Sequence, residues 1–538
     1  MPLNSTARLA AVVCLLSIAC SKDDAAPQAQ PPSPTTGNTS GRASDPPSIA
    51  GNVAAGRPAA SGAGAGMTGT AARPTRGPTA GTPAATSGAP APDPTGVAPD
   101  AITLTALAAN TTIGLDWSRV KGATGYRLFF STTPGVTPDT GQPLDTTDPA
   151  YVHRALQNGT TYYYVVAALV AGALGPPSKE ASAQPSGEWV LEQLGSGDFD
   201  NILDGQRVPR VPLEKRIHIL LFGEGYTSAD APIFHADATH AARNNDVDRW
   251  IDEVFAIDPY SRMREAFVVW FLPRASAARI GAGTTAFGLT VDNGSVSNIE
   301  AAAAPVWSAI DKFPFPPTAG APLQLVAAFT VLDPMRGRGG LSGVTSGLRN
   351  PAGNQSIRTA FGLGYPHEFT HAFSSLGDEY IELSGRASRM SETTNVVPSN
   401  RCDELPWAHL LEGRGINTTA GLVGAFGTPE QGYHAELRCQ LNGTHENGQA
   451  FCAAEDERYG NLLLRSPHLC NFCREITTFR IFERTGILTG NMAFATWKAM
   501  YRPAFYHRFG FFVPQGALPQ TIECNRGQAK PVYQACMP

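Results

Sequence analysis

The stretch HEFTHAFSSLGDEY, residues 367–380, sets two histidines four apart, a glutamate beside the first, then a glycine and two adjacent carboxylates. On an α-helix, residues four apart are separated by about 400° of rotation and about 6 Å of rise, so they share one face. His367 and His371 can therefore aim both imidazoles at one ion, at Zn–N distances of about 2.0–2.1 Å. Glu368 is rotated about 100° from His367, which sets it beside such an ion as a general base. Zinc makes water a nucleophile near neutral pH, so these three residue types in this pattern point to hydrolysis. Pro366 suits the first turn of the helix, where a missing N–H costs nothing. With 11 histidines in 538 residues, HExxH arises by chance in roughly one chain in a hundred. A helix carrying two unrelated histidines is therefore the weaker reading.

A third protein ligand has to come from outside that helix. Were the helix to continue, Asp378 would share the face of His371 but lie about 10.5 Å further along the axis, too far to reach the same ion. The chain must reverse. Gly377, which bears no Cβ penalty at positive φ, is the expected pivot, after the weak helix formers Ser374 and Ser375. The metzincin pattern HExxHxxGxxH puts its third ligand six residues after the second histidine. Here that place holds Gly377, with Asp378 and Glu379 following.

Outward from the motif, residues 187–486 alternate strand and helix patterns. RIHILLFGEGYT (216–227) reads as a strand closed by a glycine turn. Residues 228–255 carry apolar residues at helical spacing, with Ser228 as a possible N-cap. FVVWFLP (267–273) and LQLVAAFTVL (323–332) are continuous apolar runs of strand length, the mark of strands covered on both faces, and EAAAAPVWSAIDKF (300–313) is a helix between them. The fold class expected is an α/β head with a central sheet. RGRGGLSGVTSG (336–347) is expected to flank the cleft, either taking an extended peptide by strand addition or forming a plain flexible loop.

Three segments carry a resemblance to a known family: LLFGEGYT (220–227), HEFTHAFSSLGDEY (367–380) and LLLRSPHLCNFCREI (462–476). Together they resemble the IgA-peptidase family of zinc metallopeptidases, over about residues 216–486. The resemblance implies a zincin-like, metzincin-related catalytic domain with Zn2+ on His367, His371 and Asp378, and with Glu368 as catalytic glutamate. Glu379 is the alternative third ligand, and Tyr380 completes the motif without an assigned role. Departures from the pattern are Glu224 where relatives tend to carry aspartate, Ser375, near which they often show a glycine, and Leu464 in place of a methionine beneath the metal. Leucine and methionine have similar volume and can fill the same floor. His409, His434 and His468 are read as structural or exposed.

Before the head, residues 99–186 show short alternating strands broken by Asn and Gly turns, which reads as an antiparallel β-sandwich. Trp117 in LDW, GYRLFFS (125–131) and LQNGTTYYYVVAAL (156–169) resemble a fibronectin type III domain. Strand alternation turns Tyr163 away from Tyr162 and Tyr164, so packing is the expected use of all three.

Residues 1–20 read as a signal peptide: Arg8, then the apolar run LAAVVCLLSIAC (9–20), whose end resembles a bacterial lipobox with Cys20 as the lipidated residue. That run is too short to span a bilayer, and no later stretch is long and apolar enough to do so. The expectation is an exported lipoprotein, at the outer membrane, cell surface or periplasm, held to the membrane by a lipid anchor only. Residues 21–98 are rich in Ala, Pro, Gly and Thr, the composition of a disordered stalk. Residues 487–538 form an aromatic-rich extension expected to pack on the head.

Besides Cys14 and Cys20, seven cysteines lie in the last third: Cys402, Cys439, Cys452, Cys470, Cys473, Cys524 and Cys536. Export makes disulfides the default expectation, with Cys524–Cys536 the most plausible local bridge and one thiol left over. A second zinc on Cys439, Cys452, Cys470 and Cys473 is weighed and set below structural cysteines for want of matched pairs. The net charge of −5 excludes a polyanion as an obvious partner, so no nucleic acid is expected. The function expected is hydrolysis of peptide bonds in a protein or peptide substrate, as a zinc metalloendopeptidase. Its rivals are a non-catalytic surface adhesin with a degenerate peptidase fold, and a zinc amidase acting on cell-wall material.

Overall fold

The computed structural model describes residues 98, 101–198, 210–236, 244–292, 295–315, 324–332, 344–362, 365–379, 393–399, 401, 404–408, 426–428, 432–435, 439–441, 469–488 and 496–497. The signal peptide with Cys20, the stalk up to residue 97 and most of the aromatic extension lie outside these residues. So do Cys402, Cys452, Cys524, Cys536, Tyr380, His409, His468 and Leu464. No helix among the described residues is long and apolar enough to cross a membrane.

Eight strands follow one another first: β1 (Leu104–Ala109), β2 (Thr112–Trp117), β3 (Ala123–Ser131), β4 (Gln142–Thr146), β5 (Ala150–His153), β6 (Tyr162–Val170), β7 (Ala173–Leu174) and β8 (Ala181–Ala183). They form one sheet ordered β1-β2-β5 and another ordered β4-β3-β6-β7, with β8 on β6 and every pairing antiparallel. Inward residues of both sheets, among them Ile113, Leu115, Trp117, Tyr126, Leu128, Tyr164 and Val166, make one core. Trp117 packs edge-on against Tyr126 at 5.3 Å between ring centroids. Tyr164 is buried in that core with Tyr162 beside it, while Tyr163 packs on the opposite side against Phe129, Val136 and Val165. The expected sandwich and the alternation of the three tyrosines are both present.

The chain continues through β9 (Val190–Leu194), β10 (Ile217–Glu224), α1 (Ala231–Phe234), α2 (Asp246–Val254), β11 (Phe267–Leu272), β12 (Thr290–Asp292), β13 (Ser295–Ser297), α3 (Ala303–Ile310) and β14 (Leu325–Val331). It ends in β15 (Val344–Arg349), β16 (Ser356–Phe361), α4 (Tyr365–Ser374), β17 (Phe426–Thr428), β18 (Gly432–His434) and α5 (Asn471–Arg484). Strands β15-β16-β14-β10-β11-β9 form a six-stranded sheet in that order. The four inner strands run parallel, and β15 and β9 lie antiparallel at the two edges.

Strand alternation explains why the inner strands are apolar throughout. Ile217, Ile219, Leu221, Phe267, Val269 and Phe271 face a core shared with α2, α4 and α5. Leu220, Phe222, Val268, Trp270, Ala327 and Phe329 face a second core shared with α3. A sheet buried on both faces needs this continuous apolar pattern.

The helix expected over residues 228–255 is instead two helices, α1 and α2. Its first cap is Thr227 rather than Ser228: Thr227 and Asp230 form a capping box around a 3-10 turn. Asn245 caps α2, accepting a hydrogen bond from the Asp248 N–H. α1 ends at Phe234 and α2 starts anew from its own polar cap, so an apolar periodicity that reads as continuous is divided between two helices.

The sandwich and the sheet share a polar seam. Arg216, fully buried, donates to Asp116 of β2 at 2.9 Å and to the carbonyls of Gly195 at 2.7 Å and Val211 at 3.0 Å. Arg210 pairs with the same aspartate. The Leu191 N–H of β9 donates to the Thr112 hydroxyl at 3.2 Å, so that edge of the six-stranded sheet lies against the sandwich. On the other edge, β15 pairs only with β16 among the described residues.

Candidate metal centre

Every residue of α4 is buried, and its two faces do different work. Phe369 and Phe373 sit about 200° from the histidine face and pack on Trp250, Tyr260 and Phe267 at centroid distances of 5.1–5.8 Å. Thr370 bonds the Tyr260 hydroxyl at 3.1 Å. This apolar side fixes the rotation of the helix, and His367 and His371 point the other way.

His367 Nε2 and His371 Nε2 are 3.0 Å apart, and each lies 3.1 Å from Asp378 Oδ1. Ligands of a tetrahedral zinc at about 2.0–2.1 Å sit roughly 3.3 Å from one another, so the three atoms are spaced to hold such an ion with only slight adjustment. The remaining ring nitrogens are anchored: His367 Nδ1 bonds the Gln440 carbonyl at 2.9 Å and His371 Nδ1 the Leu376 carbonyl at 2.7 Å. Those bonds place the proton on Nδ1 and leave Nε2 as the donor toward the centre. Burial opposes a charge on His371, but the neighbouring Asp378 carboxylate raises its pKa above 6.5. Burial likewise opposes the charge on Asp378, and the two imidazoles outweigh it, holding the carboxyl well below the usual range. Asp378 remains 25% exposed while His367 is 1% exposed, so the centre opens to solvent on the aspartate side.

Glu368 is buried on the next helical position and turned toward β15, where the Thr345 hydroxyl lies 3.0 Å from its Oε2 and 3.1 Å from its carbonyl. The C-terminal part of the glycine-rich segment expected to flank the cleft is therefore an edge strand touching Glu368. Residues 336–343 lie outside the described residues.

The reversal after α4 is built differently from the expectation. Ser375, not Gly377, takes the left-handed conformation, at φ 57°. Gly377 is needed for space: a Cβ there would lie 2.6 Å from Thr393 Cγ2 and 2.9 Å from its Oγ1. Asn395, which sequence reasoning missed, clamps this loop by accepting from the Gly377 N–H at 2.7 Å and donating to the Gly377 carbonyl at 2.8 Å. Nothing local marks Asn395; only its place beside the loop does.

Glu379, the alternative ligand, points away from the histidines. Its carboxylate joins Cys439, Cys470 and Cys473, all buried, with the four ligand atoms within 4.8 Å of one another. These three cysteines are free thiols, so the disulfide expectation does not hold for them. His434 belongs to this second group, its Nδ1 3.7 Å from Glu379 Oε2, and not to the first. Glu224, the other departure, is buried and accepts from the N–H groups of Gly225, Phe287 and Leu289 at 2.9–3.3 Å. Burial raises its pKa against those bonds, and its part is to hold the 285–289 loop. The described residues thus contain two groups that could hold a metal ion.

No family model matches the chain, and no curated protein matches it. Among solved structures, an Fn3-like protein from Clostridium thermocellum is 28% identical over 16% of this chain and 96% of its own, with a TM-score of 0.15. A β-1,2-glucanase from Parabacteroides distasonis is 25% identical over 17% of this chain and 13% of its own, again at 0.15. A pectate lyase from Erwinia chrysanthemi is 18% identical over 15% of this chain and 27% of its own, at 0.13. Similarity of this extent concerns a small part of the chain, and the sandwich itself rests on its strand pairing.

Proposed function

We propose that the chain is a zinc metalloendopeptidase with a zincin-like head, acting on extracellular or periplasmic protein. The observation that carries this reading is the convergence of His367 Nε2, His371 Nε2 and Asp378 Oδ1, with both imidazoles oriented by backbone carbonyls and Glu368 beside them. The chemistry of the donor set, two imidazoles and a carboxylate, suits zinc with a position left for substrate. A bound zinc would supply Lewis acidity toward water and the scissile carbonyl. Glu368 takes the proton from the attacking water as hydroxyl adds to the carbonyl carbon, then delivers it to the amine as the C–N bond breaks. Thr345 holds the Glu368 carboxylate against β15. Among the described residues β15 pairs on one side only, which supports docking of an extended peptide by strand addition beside that carboxylate. The resemblance of the 367–380 motif to the IgA-peptidase family supports the same reading without naming a target.

The test is a substrate panel of casein, short peptides and peptidoglycan, run on the full chain before chelation, after it and after zinc return. Peptide-bond cleavage that is lost on chelation and regained with zinc is expected. Cleavage of peptidoglycan alone would indicate an amidase, and zinc-loaded protein inert toward all three would leave the adhesin.

A further inference from the structure

We infer that Glu379, Cys439, Cys470 and Cys473 form a second, closed zinc site that fixes the loop presenting Asp378 to the first. Four metal-binding side chains from three separate segments meet at one fully enclosed point. Cys473 Sγ is 3.1 Å and Cys470 Sγ 3.8 Å from Glu379 Oε1. With Zn–S near 2.3 Å and Zn–O near 2.0–2.2 Å, tetrahedral ligands are separated by roughly 3.5–3.8 Å, which these distances bracket. Cys470 and Cys473 are the two ends of a CxxC at the start of α5, where the helix N-terminus favours anionic sulfur. Cys470 caps that helix, its sulfur accepting from the Cys473 N–H at 3.4 Å, and Cys439 Sγ accepts from the Cys470 N–H at 3.3 Å.

Two features favour a cation over a disulfide. A disulfide would use two of the three sulfurs and leave the third beside an enclosed carboxylate. Glu379 is buried and its Oε2 has no hydrogen-bond partner; the nearest basic group among the described residues is the His434 imidazole, with Nδ1 3.7 Å away, and no Lys or Arg nitrogen comes within 4.0 Å. Enclosing a carboxylate whose oxygen makes no hydrogen bond is costly, and a divalent ion shared with thiolates removes that cost. All four coordination positions are filled by protein and none faces solvent, the arrangement of a structural rather than a catalytic zinc.

The site bears on the first centre through chain neighbours. Glu379 follows Asp378, and Cys439 precedes Gln440, whose carbonyl orients His367. The Glu379 N–H also donates to the Leu441 carbonyl at 2.8 Å. One ion would thus pin both the third ligand of the first centre and the partner of its first histidine.

The test uses the full chain purified without chelator, as wild type and as the double variant His367→Ala, His371→Ala. Two zinc per wild-type chain and one per variant chain are expected. A thiol-specific mercurial should release the variant's remaining zinc, and cobalt in its place should show sulfur-to-metal charge transfer. Cys473→Ser is expected to lose that ion and to weaken zinc at the histidine centre about tenfold; should this variant fail to fold, the mercurial and cobalt readings on the double variant still decide. A folded double variant without metal, or a disulfide joining any two of Cys439, Cys470 and Cys473 in a non-reducing peptide map, would overturn the site. A wild type holding one zinc with thiolate signature would sustain it and count against the histidine centre instead.

Discussion

Ser375 and Gly377 divide a task that a single glycine would be expected to do alone. Ser375 reverses the chain at φ 57°, and Gly377 lets Thr393 approach. Gly377→Ala is therefore expected to displace Asp378 and lower zinc affinity at least tenfold, with Thr393→Ala restoring part of it in a zinc titration. Ser375→Gly should leave affinity within about twofold and change stability by under about 1 kcal/mol, since relief of the left-handed strain is offset by loss of the exposed hydrogen bond from Arg358 to the Ser375 hydroxyl at 3.1 Å. A second residue-scale expectation concerns His153, which lies 3.0 Å from the Tyr164 hydroxyl and edge-on to Phe130. Burial lowers its pKa from 6.5 to about 4. The folded state refuses a proton that the unfolded chain accepts, so stability falls as pH drops from 6.5 toward 4 and is level above. His153→Phe should remove that slope, worth on the order of 2 kcal/mol, in denaturation midpoints measured between pH 7 and 4. The grouping of the two histidines with Glu368 was legible because zinc-hydrolase chemistry demands their types at their spacing, whereas Asp378 was offered only by the family resemblance, with Glu379 as its alternative. Ser375, Asn395 and Thr345 were not legible, because their roles depend on what folds against them.

At the scale of elements, α4 and the 375–379 loop hold the first centre between β15 and α5. The loop is pinned by Asn395 at Gly377 and again at 3.1 Å from Glu379 Oε1. Asn395→Ala should lower zinc affinity of the histidine centre about 10–100-fold, the usual range for a residue supporting metal ligands, without altering the far-ultraviolet circular dichroism. An affinity unchanged by this variant would mean the loop is held by its other contacts. Apolar runs identified β10, β11 and β14 because strands buried on both faces need continuous hydrophobicity. The separation of α1 from α2 was hidden, since α2 starts anew at the Asn245 cap while the apolar spacing runs on. The cysteines were read as disulfide partners because pairing is a property of space, and Glu379, their fourth companion, lies 60 residues before Cys439.

For the whole molecule, the sandwich and head meet through a buried arginine with one carboxylate partner. Arg216 is 0% exposed and Asp116 sits between it and Arg210. Burial raises the Asp116 pKa against the pull of both guanidiniums. Asp116→Ala would leave Arg216 enclosed without its counter-charge, at a cost of about 3–5 kcal/mol. Faster limited proteolysis near residues 195–216 and a lower unfolding midpoint are expected; unchanged digestion would show that the seam does not depend on this pair. The sandwich is thus part of the head's support rather than a loose spacer, and activity should be measured on the full chain. The most direct measurement compares wild-type protein with Glu368→Ala for bound zinc and for casein hydrolysis. Equal zinc with hydrolysis lower by about 10²–10⁴ in the variant is the predicted result. Equal zinc with equal hydrolysis, or folded wild-type protein that neither carries zinc nor takes it up, would contradict the account.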